Sequence, residues 1–438
     1  MKKTIDIAVI IGLILAIRLS PQDTAPPSFA GRKHLLSNGL TVILQRDVSS
    51  ATTVLQIIIP GGRAAEPSGK EGLAYLTTRL ALEIPVESEA QDLVSLASSF
   101  NVFSEGDYSA IRVRCLSSHL AETLDILCGV LRKPLFSGIR IDRIRESMVH
   151  SGRREQDEPA LLGHWKALAA FFGPGGYGAF HLGREDTLKT IKGKDISEFY
   201  KSHFTADRMI IAASSDLEEK DLLAVLEKNF SGLGRGGTPS LPAAPAGVPE
   251  SRALAFEKDA KQTFISRSYA LPAISPRGYV LGFILRYVLG PHPGSRLWPI
   301  RSDEMLAYII NSRFEAMKDG GMLEAYLETD RAKTDSSRQA LKAVLTRLYE
   351  EGVEDVEFSR IRAGCRAEFL RLYETKSSRS ECLAEFEILG LGYGFFREFL
   401  TVLDSLALQD FNDFIKAVLN PESSVEVVIG PAAEASGR

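Results

Sequence analysis

The order of strands and helices occurs twice in this chain of 438 residues, and the repeat constrains its fold more than any other feature. The first copy has predicted strands at 41–46, 53–60, 101–105, 108–115 and 208–214, with helices at 72–83, about 88–99, between 118 and 204, and at 217–230. The second copy has strands at 253–257, 263–271, 306–314, 321–329 and 424–430, with helices at 276–289 and over most of 334–418. A repeat of about 200 residues predicts two similar domains. We therefore expect an α+β fold with two homologous domains, each a mostly antiparallel sheet packed with helices, which face each other across a cavity.

The two copies are separated by a segment with linker composition. Residues 235–250, RGGTPSLPAAPAGVPE, are dense in Gly, Pro and Ala and have no apolar periodicity. Such a segment is semi-rigid because of its prolines. We expect domains at 31–234 and 251–438.

The first 30 residues have the pattern of an export segment. Two lysines precede an apolar run from Ile7 to Ile17, which is too short for an ordinary membrane span. The run fits the core of a secretory signal, although Asp6 lies at its edge and no A-x-A cleavage site follows. We expect an exported, periplasmic protein, with an uncleaved anchor in the inner membrane as the alternative.

Charge and cysteine content exclude several classes of site. A net charge of −4 gives no reason to expect nucleic acid or an anionic membrane surface as a partner. The four cysteines form no C-x-x-C pair, which disfavours a zinc knuckle or a thioredoxin-like site. In an exported protein Cys365 and Cys382 are candidates for a disulfide, and buried free thiols are the favoured alternative.

The common hydrolase motifs are also missing from the sequence. No two of the seven histidines lie three or four residues apart, so neither H-x-x-E-H nor H-E-x-x-H occurs. No G-x-S-x-G is present, and Ser295 lacks the strand–elbow–helix context of a nucleophile. The Gly-rich stretch at 172–183, FGPGGYGAFHLG, lacks the G-K-[ST] of a phosphate-binding loop, so we expect it to be structural.

One stretch carries a family resemblance. Residues 61–82, GGRAAEPSGKEGLAYLTTRLAL, form a Gly-Gly turn, a charged loop and a helix from near Gly72. The loop resembles the pattern G-x-R-x-E-x-x-x-x-x-G of the pitrilysin, insulin-degrading enzyme and mitochondrial processing peptidase family, through Arg63, Glu66 and Gly72, with one residue more between Arg63 and Glu66. The resemblance covers about residues 34–431 and implies the same pair of domains.

The resemblance fails where the family binds zinc. Its helix carries H-x-x-E-H, and those positions are occupied here by Tyr75, Thr78 and Arg79. A phenol and a cationic guanidinium do not replace two imidazoles. The family's third ligand, a Glu, falls near Ser151, with Glu146 and Glu155 close enough to be alternatives. We expect that this chain holds no zinc and no other cofactor; a rewired metal site from His150 and His164 is the disfavoured alternative.

A second stretch resembles the family's other motif. Residues 294–310, GSRLWPIRSDEMLAYII, resemble S-R-L-x-x-x-[IL]-R-x-x-x-x-L-[AG]-Y with one residue fewer between Leu297 and Ile300, and the family's Arg and Tyr fall at Arg301 and Tyr308. In active members this pair holds the substrate peptide opposite the zinc. A guanidinium and a phenol both donate hydrogen bonds to a peptide carbonyl.

The resemblance thus implies a chain that has lost one half of the active site and kept the other. It predicts a non-catalytic subunit of a heterodimeric zinc metallopeptidase, which contributes Arg301 and Tyr308 and closes the chamber. The zinc is then expected on a homologous partner with an intact H-x-x-E-H, and the substrate is a peptide or unfolded polypeptide. The alternative is a binding or scaffolding protein with no proteolytic role.

Overall fold

The computed structural model describes residues 31–236 and 251–431, which form two β-sheets with surrounding helices. The strands are β1 Arg32–Leu35, β2 Thr41–Arg46, β3 Thr52–Pro60, β4 Ser99–Ser104, β5 Tyr108–Leu116, β6 Ile210–Ser215, β7 Arg252–Glu257, β8 Thr263–Leu271, β9 Ile309–Met317, β10 Gly320–Thr329 and β11 Ser424–Gly430. The α-helices of the first half are α1 Leu73–Leu80, α2 Glu87–Ser95, α3 Leu120–Arg132, α4 Gly138–Asp157, α5 Pro159–Phe172, α6 Glu185–Thr190, α7 Gly193–His203 and α8 Glu219–Phe230. Those of the second half are α9 Pro276–Val288, α10 Trp298–Ser302, α11 Thr334–Glu351, α12 Asp355–Arg371, α13 Lys376–Ile388, α14 Phe395–Ser405 and α15 Leu408–Val418.

The predicted export segment and most of the predicted linker lie outside the described residues. Within the described ranges, none of the helices combines the length and the apolar character that crossing a bilayer requires.

The two sheets share one topology, which confirms the predicted fold class. Their strand orders are β1-β2-β6-β3-β5-β4 and β7-β11-β8-β10-β9. Each sheet contains one parallel pair, β2 with β6 and β7 with β11, and its other pairs are antiparallel. Strands β2, β6, β3, β5 and β4 thus correspond to β7, β11, β8, β10 and β9, and β1 is an addition to the first sheet.

Some predicted boundaries are wrong for local reasons. The helix predicted to reach residue 99 ends at Ser95, because Ala97 adopts a positive φ of 51° that a right-handed helix does not allow. The strand predicted from residue 306 begins at Ile309, since Met305 has a φ of 50° and turns the chain. Helix α10 and strand β1 were not predicted, and both are too short for a clear period.

The two halves exchange a helix. Helix α5 of the first half packs on β8 and β11 of the second sheet, and α13 of the second half packs on β3 and β6 of the first. Because β3 and β6 are the counterparts of β8 and β11, the exchange is reciprocal. Gly163 allows the close approach of α5, since a Cβ there would lie 2.2 Å from the Phe264 ring.

Apolar clusters at both exchange sites join residues from the two halves. Under α13 the buried cluster includes Ile43, Ile58, Ala110, Ala212, Leu383, Ala384 and Ile388. Under α5 it includes Ala167, Leu168, Phe171, Phe264, Val425, Val427 and Ile429. The described residues of both halves, 31–236 and 251–431, consequently belong to one compact unit.

Polar contacts fix the position of α13 on the first sheet. The Lys376 ammonium donates hydrogen bonds to the carbonyls of Ser50 and Thr52, each at 2.7 Å. Further along the helix, Glu381 pairs with Arg112 at 2.6 Å. The first residue and the middle of α13 therefore have defined partners in the other half.

The cysteines are free. All four are buried and none forms a disulfide, so the candidate bridge between Cys365 and Cys382 is wrong and the favoured free-thiol alternative is confirmed. Burial raises the pKa of the Cys128 thiol to about 12, which keeps it protonated and unreactive at neutral pH.

The exchanged helix gives a stability prediction. Leu383→Ala in α13 removes a fully buried side chain at the contact between the halves. We expect a loss of about 2–5 kcal/mol in the free energy of unfolding. Urea unfolding measures it, with Leu135→Ala as the matched control because Leu135 is 50% exposed. Equal effects of the two substitutions would show that α13 does not hold the halves together.

Candidate functional site

The loop before α1 fixes where this helix begins. Glu66 accepts hydrogen bonds from the backbone N–H groups of Gly72 at 3.1 Å and Ala74 at 2.8 Å. It thereby satisfies donors at the start of the helix that have no partner within it. Gly72 has a φ of 95°, in the left-handed region that favours glycine. Burial raises the pKa of Glu66 to about 8, against the two amide hydrogen bonds that lower it.

Arg63 of the same loop joins the first half to the second. Its side chain is buried, and its Nη2 donates to Glu315 Oε1 in β9 at 3.0 Å. The guanidinium also lies 4.9 Å from the centre of the Trp165 ring in α5. Glu66 and Arg63 of the family's loop motif thus have structural roles, and these roles account for both residues without any part in catalysis.

The positions of the zinc-binding motif do not fit a metal ion. Tyr75 is half-buried, and burial raises the pKa of its phenol, which favours the neutral form. The Thr78 hydroxyl donates to the Ala74 carbonyl of its own helix at 2.8 Å. Arg79 pairs with Glu83 at 3.2 Å. A cation, a neutral phenol and a hydroxyl bonded to the backbone offer no set of zinc ligands.

A cavity of about 520 Å³ lies at this position, between α1, α4 and strand β4. Tyr75, Ser151 and Glu155 all line this cavity. The region predicted to hold the third ligand thus lies beside Tyr75, the position of the family's first histidine. Glu146 is exposed and does not belong to the lining. The structure therefore brings Tyr75 and Ser151 to one cavity, and Glu155 is the acidic residue beside them.

His181 also lines this cavity, and the motifs of the sequence do not point to it as a site residue. Its Nε2 lies 2.8 Å from Glu155 Oε2, and its ring meets the Tyr75 ring edge-on at 6.1 Å. The other side of the imidazole stacks on Trp165, with ring centres 5.1 Å apart. The only sequence signal for His181 was its place in the Gly-rich stretch 172–183. The carboxylate of Glu155 is thus already engaged by a side chain of the same chain.

The histidines of the rewired alternative are not brought together as a metal site. His150 is exposed, whereas His164 lies between Glu315, 3.2 Å from Nε2, and Glu324, 3.3 Å from Nδ1. Over residues 31–236 and 251–431, no group of three or more His, Cys, Asp or Glu side chains is placed to hold a metal ion.

Arg301 and Tyr308 of the second motif lie on the surface near the start of β9. Arg301 is exposed and packs over Trp298, 5.2 Å from the ring centre. Tyr308 is 56% exposed, and its hydroxyl donates to Asp330 Oδ2 at 3.1 Å. Neither side chain lines the cavity at Tyr75, so within this chain the structure does not bring the two parts of the family's site together.

The segment between them is held in place and presents apolar groups. The Leu306 N–H donates to the Ile300 carbonyl at 2.9 Å, and Met305 keeps its positive φ. Met305 is 69% exposed and Ile309 44% exposed beside the exposed Tyr308. The Arg–Tyr pair therefore lies on an ordered, partly apolar surface.

The ligand positions give a metal-binding prediction. We expect that the natural chain binds no stoichiometric zinc and that Tyr75→His/Thr78→Glu/Arg79→His binds it weakly, since the third ligand, expected near Ser151, is missing too. Adding Ser151→Glu should strengthen binding by more than the about 10–100-fold that an outer hydrogen-bond partner contributes. Zinc titration with a competing chelator measures all three. Tight binding by the triple variant alone would assign the ligand role to Glu155 or Glu146.

Comparisons with known proteins agree with these motifs. Residues 41–168 match the family model described as insulinase, peptidase family M16. Residues 190–365 match the model described as the peptidase M16 inactive domain. The two ranges together cover more than half of the chain.

Similar proteins include both a subunit and a homologue that is not a peptidase. The chain is 24% identical to the mitochondrial-processing peptidase subunit beta of Neurospora crassa, over 86% of this chain and 83% of that protein. It is 22% identical to the non-peptidase homolog YmxG of Helicobacter pylori, over 83% and 85%. A crystal structure titled as a protease from Helicobacter pylori has the same fold, with a TM-score of 0.83, 16% identity and coverage of 92% of this chain and 100% of that chain.

Helix α1 lies in the range that the insulinase model matches, and the inactive-domain model matches a range after it. The chain belongs to the M16 peptidase family.

Proposed function

We propose that this chain is the non-catalytic subunit of a heterodimeric zinc metallopeptidase. Its partner is a homologous chain with an intact H-x-x-E-H, which holds the zinc. This chain closes the chamber and contributes Arg301 and Tyr308 to binding a peptide or unfolded polypeptide. The observation that carries the proposal is the exposed, ordered Arg–Tyr pair in a chain whose own ligand positions do not fit zinc.

The surroundings of the pair support a role toward another chain. The Arg301 guanidinium packs over the ring of Trp298. This contact uses the face of the guanidinium, so its five N–H donors remain available for a carbonyl. The single Tyr308 O–H donates to Asp330 Oδ2 at 3.1 Å, so a peptide carbonyl has to replace Asp330 as its acceptor when substrate binds. The exposed Met305 and Ile309 add apolar surface beside them.

The cavity at Tyr75 supports the binding of extended polypeptide. Strand β4 is the outer strand of its sheet, and Val102, Phe103 and Ser104 of this strand line the cavity. An outer strand has backbone N–H and C=O groups with no partner in the sheet, which an extended peptide pairs with as an added strand. The cavity volume of about 520 Å³ has room for side chains of such a peptide.

The relatives support assembly with another subunit. The Neurospora protein is named as a subunit of the mitochondrial-processing peptidase, and the chain matches most of its length. Export to the periplasm, with a cleaved N-terminal signal or an uncleaved anchor in the inner membrane, is part of the proposal and rests on the sequence of residues 1–20.

The proposal predicts a kinetic effect without loss of assembly. In a complex reconstituted with the zinc-bearing partner, Arg301→Ala or Tyr308→Phe should lower kcat by about 10²–10³-fold, because each removes a donor that the proposal assigns to the oxyanion. KM should change less, since the rest of the peptide contacts remain. Initial rates give kcat and KM, and size-exclusion chromatography verifies that the complex is intact.

Matched controls separate this role from a general effect of substitution. Arg397→Ala alters an exposed arginine on α14, and Tyr349→Phe alters a half-buried tyrosine on α11. Both should leave kcat unchanged. Unaltered rates for Arg301→Ala and Tyr308→Phe in intact complexes would leave the scaffolding role as the function of this chain.

A further inference from the structure

A small acid-lined cavity lies where the two halves meet. Its volume is about 210 Å³, and it is formed by the hairpin between β4 and β5, the end of β9, and helices α9 and α13. The carboxylates in its lining are Glu105, Asp107, Glu315, Glu381 and Glu385, with the phenols of Tyr108 and Tyr279 beside them. Residues of both halves thus bring five acidic groups to the lining of one cavity.

Three of these carboxylates are neutralised or hydrogen-bonded by neighbours. Glu381 pairs with Arg112 and Glu315 with Arg63. Asp107 accepts hydrogen bonds from the Tyr177 hydroxyl at 2.7 Å and from the Lys318 N–H at 3.0 Å. Their negative charge is therefore balanced or solvated by the protein.

Glu385 is in a different position. The charged groups that act on it are Glu381 and Glu105, both of the same sign as its own carboxylate. Burial is the larger effect, and together they raise the pKa of Glu385 from 4.5 to about 8. Burial also raises the pKa of Glu105. The closed junction therefore favours a neutral Glu385.

On the other side of Glu315, His164 holds two carboxylates at once. Both ring nitrogens face a carboxylate oxygen, and a neutral imidazole has only one N–H to donate. Only the imidazolium satisfies both contacts. The two carboxylates raise the pKa of His164 to about 9 despite its burial, and Glu324 also binds Arg313 at 2.9 Å. The contact of His164 with Glu315 and Glu324, called the clamp below, therefore depends on the proton of His164.

We propose that the junction between the halves is a proton-dependent interlock, closed when His164 is an imidazolium and Glu385 is neutral. Loss of the His164 proton removes the cation between Glu315 and Glu324. Ionisation of Glu385 places another negative charge in the cavity. Both events weaken the contact of α5 and α13 with the opposite sheets.

Charged and titratable groups from both halves surround His164 and Glu385. Around His164 they are Glu315, Glu324, Arg63 and Arg313, and around Glu385 they are Glu381, Glu105, Asp107, Glu315, Tyr108, Tyr279 and Cys382.

The direction and the pH range follow from the two protons. The pKa of Glu385 is higher in the closed state than its ordinary 4.5, so its contribution to stability falls as pH rises from 4.5 to about 8. The pKa of His164 is higher than its ordinary 6.5, so its contribution is complete below pH 6.5 and is lost up to about 9. Within its range each group changes the opening equilibrium by up to about tenfold per pH unit.

Amide hydrogen exchange of α13 and α5, corrected for the intrinsic pH dependence of exchange, tests the interlock on the full chain. In the natural chain we expect protection to fall steadily between pH 5 and 9. Glu385→Gln should remove the fall below pH 6.5, and His164→Gln the fall above pH 8. Because Glu385→Gln removes only a repulsive charge, it keeps the test decisive if His164→Gln does not fold.

The controls are the same substitutions at exposed sites. Glu398→Gln on α14 and His150→Gln on α4 should leave the profile of the natural chain unchanged. A corrected protection that does not depend on pH in the natural chain would overturn the interlock. A Glu385→Gln profile identical to that of the natural chain would overturn it as well.

Discussion

The reciprocal exchange of α5 and α13 is the contact on which the rest of the structure depends. Each sheet is covered by a helix from the other half, so neither sheet can bury its apolar face alone. The exchange also sets the position of the loop before α1, because Arg63 reaches Glu315 of the second sheet beside Trp165 of α5. A duplicated chain thereby becomes one unit whose interior is shared.

This shared interior explains why part of the family's motif persists without zinc. Glu66 caps α1 and Arg63 joins the halves, so the fold itself requires both residues. The ligand positions on α1 have no such structural role. The Thr78 hydroxyl there bonds to its own helix, and Arg79 pairs with Glu83. Arg301 and Tyr308 differ from both groups, because they are exposed and the packing of the chain does not depend on them. Their presence therefore calls for an explanation outside the fold, and the proposed partner chain is the explanation that we offer.

The junction concentrates charge as well as apolar surface. His164 of α5 meets Glu315 and Glu324, and the acid-lined cavity lies next to this clamp. Buried charges contribute stability only while they stay paired, so a junction of this kind responds to protons. The same contacts that join the halves thus make their association sensitive to pH.

The sequence by itself determined the duplicated α+β fold, most of the strands and the mismatch at Tyr75, Thr78 and Arg79, because periodicity and local motifs depend on neighbouring residues. It placed the Arg301–Tyr308 pair by spacing alone, and the ligand near Ser151 only to within a helical turn. It did not indicate the pairing of His181 with Glu155, the clamp at His164 or the exchange of α5 and α13. These contacts join residues 26 to 160 positions apart or elements from opposite halves. Only the tertiary structure decided them, since no local pattern encodes which helix covers which sheet.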